Sequence, residues 1–128
     1  MVAWADYKSQ AKERGALALE LYAAVSTPAK APEDVKANLA DHLAYQAELE
    51  RAGKLAFAGP MSDETGEHMQ GIGLIIYRAD NLEAARALAE GDPMHKSGAR
   101  SFVLRRWMIN EGSFTVQVGL STGGTTLS

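Results

Sequence analysis

From Ala16 to Ile109 the apolar residues switch between a spacing of two and a spacing of three to four. The order of those spacings predicts strand, helix, strand, strand, helix, strand. The first stretch, Ala16 to Thr27, alternates at Leu17, Leu19 and Leu21. Its Leu, Ala and Glu content leans towards helix, but Gly15 and Pro28 bound it at strand length, and it reads as a strand. A helix follows. Pro32 suits the first helical position, Glu33 and Asp34 favour the first turn, and Gly53 closes the segment. Val35, Leu39, His42, Gln46 and Leu49 then form one stripe, widened by Leu43, so His42 stands on a packing face.

Lys54 to Pro60 alternates large and small apolar residues and reads as a strand, and the polar stretch Met61 to Gln70 reads as an exposed hairpin loop. Gly71 to Arg78 is a strand whose continuous apolar run suggests burial on both sides. Asp80 with Glu83 has the spacing of a capping box, and Leu82, Ala85, Leu88 and Ala89 give the second helix its apolar face up to Gly91. Asp92-Pro93 reads as a turn, and Phe102 to Ile109 as the last core strand. Outside this core, residues 1–15 predict a short amphipathic helix stopped by Gly15. Phe114, Val116, Val118 and Leu120 predict one more strand with a buried face, and Ser121 to Ser128 a frayed tail.

At 128 residues the chain suits a single domain, 1–128, with its core at about 17–109 and residues 110–128 as a C-terminal strand and tail. The βαββαβ order predicts an α+β, ferredoxin-like subunit: one four-stranded antiparallel sheet with both helices on one face. Two helices leave the other face open. Two copies packed sheet to sheet close it most simply, giving a dimeric α/β barrel and a homodimer or higher even oligomer.

Composition removes whole classes of function. With no cysteine there is no disulfide framework, thiolate nucleophile or cysteine-held metal cluster, which fits a reducing, cytoplasmic setting. A formal charge of −3 gives no electrostatic footprint for nucleic acid or an anionic membrane. The start Met1 to Lys8 reaches a charge too soon for a signal sequence, and no apolar run approaches the ~20 residues of a membrane span. Histidines at 42, 68 and 95 have no metal-site spacing, and Gly71-Ile72-Gly73 opens a strand rather than the helix a dinucleotide fingerprint needs. No Gly-x-Ser-x-Gly elbow or phosphate loop is present.

Three stretches are more specific. Asp41-His42-Leu43-Ala44-Tyr45 is followed by Gly53-Lys54-Leu55-Ala56-Phe57-Ala58-Gly59-Pro60. Then comes Ala85-Arg86-Ala87-Leu88-Ala89-Glu90-Gly91-Asp92-Pro93-Met94, with Ser97-Gly98 beyond. Together they resemble the YCII-related (YciI-like) domain family over about residues 17–109. The resemblance implies dimeric α+β barrels of ferredoxin-like subunits, on a fold shared with muconolactone isomerases and cofactor-free monooxygenases. It also implies two characteristic polar residues, a His on the first core helix and an Asp before Pro after the second, which match His42 and Asp92. Two departures stand out: Leu39 replaces an Arg that many relatives carry, and Met94 replaces a common aromatic. If that Arg grips an anionic group in relatives, this chain must use another cation or take a less charged ligand.

An imidazole that titrates near neutrality, oriented by a carboxylate, can take or give a proton. The resemblance makes His42 and Asp92 the candidate pair; position alone favours a core histidine and an ordinary Asp-Pro turn. Tyr45, three residues past His42, and His95, three past Asp92, are candidate substrate-binding groups, each with a packing or surface role as its alternative. Of Arg105 and Arg106, one faces each side of the last strand and one is available to line a cleft, the alternative being a charge at a sheet edge. The expectation is a cofactor-free enzyme, isomerase or lyase, doing acid–base chemistry on a small molecule. Its alternatives are a non-catalytic dimeric small-ligand binding protein and, on the analogy of the fold, a monooxygenase.

Overall fold

The computed structural model describes residues 1–128, which fall into two compact units: Glu20–Trp107, and Met1–Leu19 with Met108–Ser128. No helix is long and apolar enough to cross a membrane.

The larger unit holds the α+β core. Strands β1 (Leu19–Pro28), β2 (Leu55–Ser62), β3 (Met69–Tyr77) and β4 (Arg100–Ile109) form a sheet in the order β2-β3-β1-β4. β3 runs antiparallel to both neighbours, pairing Tyr22 with Tyr77, Ala24 with Ile75 and Ser26 with Gly73 on the β1 side. Each strand begins or ends within a few residues of the expected place. β1 is displaced towards Pro28, and the Met61–Gln70 loop shrinks because both flanking strands extend into it.

Side-chain alternation then separates the two sheet faces. Tyr22, Ala24, Ile75, Tyr77 and Leu104 point to one face and meet Leu49 of α3 (Leu39–Arg51) and Ala85 and Ala89 of α4 (Leu82–Gly91). Burying each of the larger side chains contributes ~1.5–3 kcal/mol. The two alanines, fully buried, let the α4 backbone lie close to the sheet. On the other face Phe57, Val103 and Trp107 stay exposed, at 41%, 53% and 43%. The both-sided burial expected of the third strand holds for Ile75, Ile76 and Tyr77.

Three local expectations change. The helix expected from Pro32 to Gly53 is two, α2 (Pro32–Ala37) and α3, divided at Asn38, whose side chain donates to the Asp34 carbonyl 2.8 Å away. The stripe built from Val35 to Leu49 is therefore not one core face. Leu49 alone enters the core, while Leu39 and Leu43 remain about half exposed. The cap of α4 is Asn81 rather than Asp80: its Oδ1 accepts from the Ala84 backbone N–H at 2.8 Å, the reach an N-cap needs. Asp92-Pro93 is not a simple turn but the start of a short helix, α5 (Pro93–Lys96), with Pro93 in its first turn and Asp92 as N-cap.

In the smaller unit α1 (Trp4–Glu13) ends where Gly15 was expected to stop it. Gly15, at φ +86°, donates to Lys12 O and Ala16 to Ala11 O, the paired bonds of a Schellman stop. The tail is not frayed. β5 (Val116–Val118) pairs antiparallel with β6 (Thr125–Leu127), Val116 opposite Leu127, and backbone bonds in both directions join Thr115 to Ser128. The alternation at 114–120 did mark a strand, but a three-residue one whose Val116 and Val118 are exposed. Its partner is the Thr-rich tail itself, so hydrogen bonding rather than a buried face sets the pairing.

Candidate functional site

Asp92 leaves α4 in an extended conformation (φ −64°, ψ 127°) and caps α5, so one carboxylate is fixed between two helices. Its Oδ1 accepts from the Met94 backbone N–H at 2.9 Å, and the residue is only 1% exposed. A buried carboxylate needs further donors. His42, on the first turn of α3, supplies one: its Nδ1 lies 2.9 Å from Oδ1 and 2.8 Å from Oδ2. A carboxylate can only accept, so Nδ1 carries the proton and Nε2 of the neutral ring keeps its lone pair. The histidine side chain itself is 16% exposed.

His42 lines a cavity of about 470 Å³, within the range of small-molecule sites. Val35 and Leu39, with Leu43 and Gln46, come from the divided helix, Pro60 and Ile72 from the sheet, and Met94 from α5. The break at Asn38 thus turns residues expected in the core into cavity wall. Ser26 and Arg100 complete the polar lining. No three His, Asp or Glu side chains gather where they could hold a metal ion.

Neither of the remaining candidates lines this cavity. Tyr45 points at α4, where its hydroxyl donates to the Leu88 carbonyl at 2.7 Å, and burial pushes its phenol pKa up. His95 lies behind Ser26. Its Nδ1 is 2.8 Å from the Ala89 carbonyl, which can only accept, so Nδ1 is protonated and Nε2 must accept from the Ser26 hydroxyl 2.8 Å away. Its ring packs on Phe102 with centroids 4.7 Å apart, and burial, above all other influences, holds its pKa below the ordinary histidine value. His68 sits in the β2–β3 turn beside Asp63, mostly exposed.

Ser26 and Arg100 are the site residues that sequence reasoning missed. Ser26 is 2% exposed and accepts from Arg100 Nε at 2.8 Å while donating to His95. Arg100 Nη2 also donates to the Ser26 carbonyl, at 2.7 Å, and to the Gly71 carbonyl. Gly71 sits at φ +85°, and a Cβ there would lie 2.9 Å from Pro28 Cγ, so glycine is required where its carbonyl meets Arg100. Ser26 gave no sign in the sequence, because the alternation expected at Leu17, Leu19 and Leu21 marks the wrong parity: Leu17 and Leu19 stay exposed, and the core-facing set is Tyr22, Ala24 and Ser26. Arg100 gave none, standing before the alternation that marks β4. The arginines weighed for the cleft go elsewhere. Arg106 pairs with Glu20 at 3.5 Å, and Arg105 lies with Trp107 on the opposite sheet face.

Among curated proteins none matches this sequence. Among solved structures, 5-chloro-2-hydroxyhydroquinone dehydrochlorinase of Burkholderia phenoliruptrix AC1100, in complex with 2,5-dihydroxybenzoquinone, is similar at 22% identity and a TM-score of 0.49. The match covers 68% of this chain and 92% of that one. The model of the YCII-related domain matches residues 18–108, which takes in the whole sheet-and-helix unit, the cavity and the His42–Asp92 pair, and the chain belongs to that family.

Proposed function

We propose that the protein is a small-molecule enzyme in which His42 moves a proton and Asp92 orients it, with no cofactor required. The observation that carries this reading is the bond from His42 Nδ1 to both Asp92 oxygens, at 2.9 and 2.8 Å, on the wall of a mostly apolar cavity. Fixing Nδ1–H leaves Nε2 as the basic nitrogen, and Asp92 stabilises the imidazolium formed when Nε2 takes a proton. The same ring then returns the proton elsewhere on the bound molecule, which is an isomerisation, or to a leaving group, which is an elimination. Tyr45 and His95 act as positioning residues, the first holding α3 on α4 and the second holding the Ser26 hydroxyl.

The active form in this reading is a homodimer. Exposed Phe57, Val103 and Trp107 on the sheet face away from the helices support a second copy packed there. A cysteine-free chain suits the reducing cytoplasm.

The test has two parts. ¹⁵N NMR of the imidazoles is expected to find His42 as the Nδ1–H tautomer, and to find that preference lost in Asp92→Asn, whose amide can donate as well as accept. In a screen of small enolisable or leaving-group-bearing compounds, His42→Ala is expected to lower turnover ~10²–10⁴-fold while binding persists. An Nε2–H tautomer in the native protein, or turnover indifferent to His42→Ala, overturns the reading. Binding without any turnover would instead support a non-catalytic ligand-binding protein.

A further inference from the structure

Arg100 is a half-buried cation on the wall of an apolar cavity, and its hydrogen bonds leave its charge unanswered. Nε and Nη2 donate to the Ser26 hydroxyl, the Ser26 carbonyl and the Gly71 carbonyl, all neutral acceptors. Nη1, with two N–H groups, has no partner, and no ion pair involves this side chain. The carboxylate whose charge reaches it is Asp92, already engaged by His42 and the Met94 backbone. Withdrawing a guanidinium from water without a counter-anion is unfavourable, and stapling β4 to β1 and β3 needs only donors, not a full charge. A charged group retained there fits an occupant that brings the opposite charge.

We propose that the cavity takes a small molecule with an apolar body and one anionic oxygen, a carboxylate or phenolate, and that Arg100 Nη1 binds that oxygen. Leu39, Leu43 and Met94 supply the apolar contacts. Arg100 is thus the cation that replaces the one missing at Leu39. In the catalytic reading, on whose choice of cavity this assignment rests, the anion also fixes which part of the molecule faces His42.

The test uses the native protein and four probes: benzoate with its neutral counterpart benzamide, and 4-nitrophenolate at alkaline pH with neutral 4-nitroanisole. Binding is followed by the NMR shifts of His42 and Met94. At least one anion is expected to bind tenfold or more tighter than its neutral partner, and which one does so tells carboxylate from phenolate. Arg100→Gln is expected to erase that preference and Arg100→Lys to keep part of it. Equal binding of anion and neutral partner, no binding by any probe, or a preference that survives in Arg100→Gln overturns the proposal. Should Arg100→Gln fail to fold, the anion-against-neutral contrast in the native protein decides alone. His42→Ala separates this assignment from the catalytic one: the anion preference is expected to persist there even where turnover is lost.

Discussion

The Tyr45 hydroxyl donates to the Leu88 carbonyl at 2.7 Å and occupies the space beside Gly91, where an added Cβ would come within 2.8 Å of it. This contact holds α3, which carries His42, against α4, which delivers Asp92. Tyr45→Phe is expected to lower stability by ~1 kcal/mol through the lost bond. Gly91→Ala is expected to cost ~1–3 kcal/mol by overpacking, and less when Tyr45 is already Phe. Urea denaturation of the two single variants and the double variant checks this, and additive costs would show that the contact is not shared.

Tyr77 behaves in the opposite way. Its hydroxyl is buried with no hydrogen-bond partner, and burial raises its pKa. Removing an unsatisfied buried hydroxyl relieves a desolvation penalty, so Tyr77→Phe is expected to raise stability by ~1 kcal/mol. A fall in the denaturation midpoint would mean that the hydroxyl is satisfied in solution.

Burial holds the folded-state pKa of His95 below its ordinary 6.5. The unfolded chain therefore binds the proton first as pH falls. The stability this histidine contributes is complete above pH ~6.5 and is lost on acidification from there down to its folded pKa. Denaturation midpoints measured across that window should decline less in His95→Gln, whose amide can still accept from Ser26. Parallel pH profiles would mean that His95 does not carry the effect.

Asp92 combines a cap with a bond to His42, and two substitutions separate these roles. Asparagine keeps a capping oxygen for Met94, while alanine removes it, which typically costs ~0.5–2 kcal/mol. Asp92→Ala is expected to be the less stable by about that amount, whereas both variants lose the oriented tautomer of His42. Equal stability would remove the cap from the account.

Sedimentation at micromolar concentration is expected to find a dimer, and Trp107→Glu, which sets a charge on the exposed sheet face, is expected to shift it to monomer. A native monomer would leave that face without a partner.

The order of strands and helices was legible because side-chain period is a local property, and the burial of Leu49, Ile75 and Ala85 follows from it. The division at Asn38 was not. Helical spacing continues through it, and only a three-dimensional contact tells whether Leu39 meets the core or a cavity. The β6 strand was hidden because its pairing rests on backbone bonds between Thr-rich residues with no apolar pattern. His42 and Asp92 were named through a resemblance, since no local pattern links residues fifty positions apart, and the structure brings them within hydrogen-bond distance. Ser26 and Arg100 carry no resemblance and meet only when β1, β3 and β4 lie side by side.

In the proposed mechanism, Asp92 ties proton chemistry to one short turn of helix. If α5 opens, the Met94 N–H leaves, the carboxylate gains freedom, and the restraint on the His42 ring goes with it. The sheet, α3 and α4 can stay intact meanwhile. Chemical competence, if it rests on this pair, reports on the most local element of the fold, and a molecule loosened there would fall silent well before it comes apart.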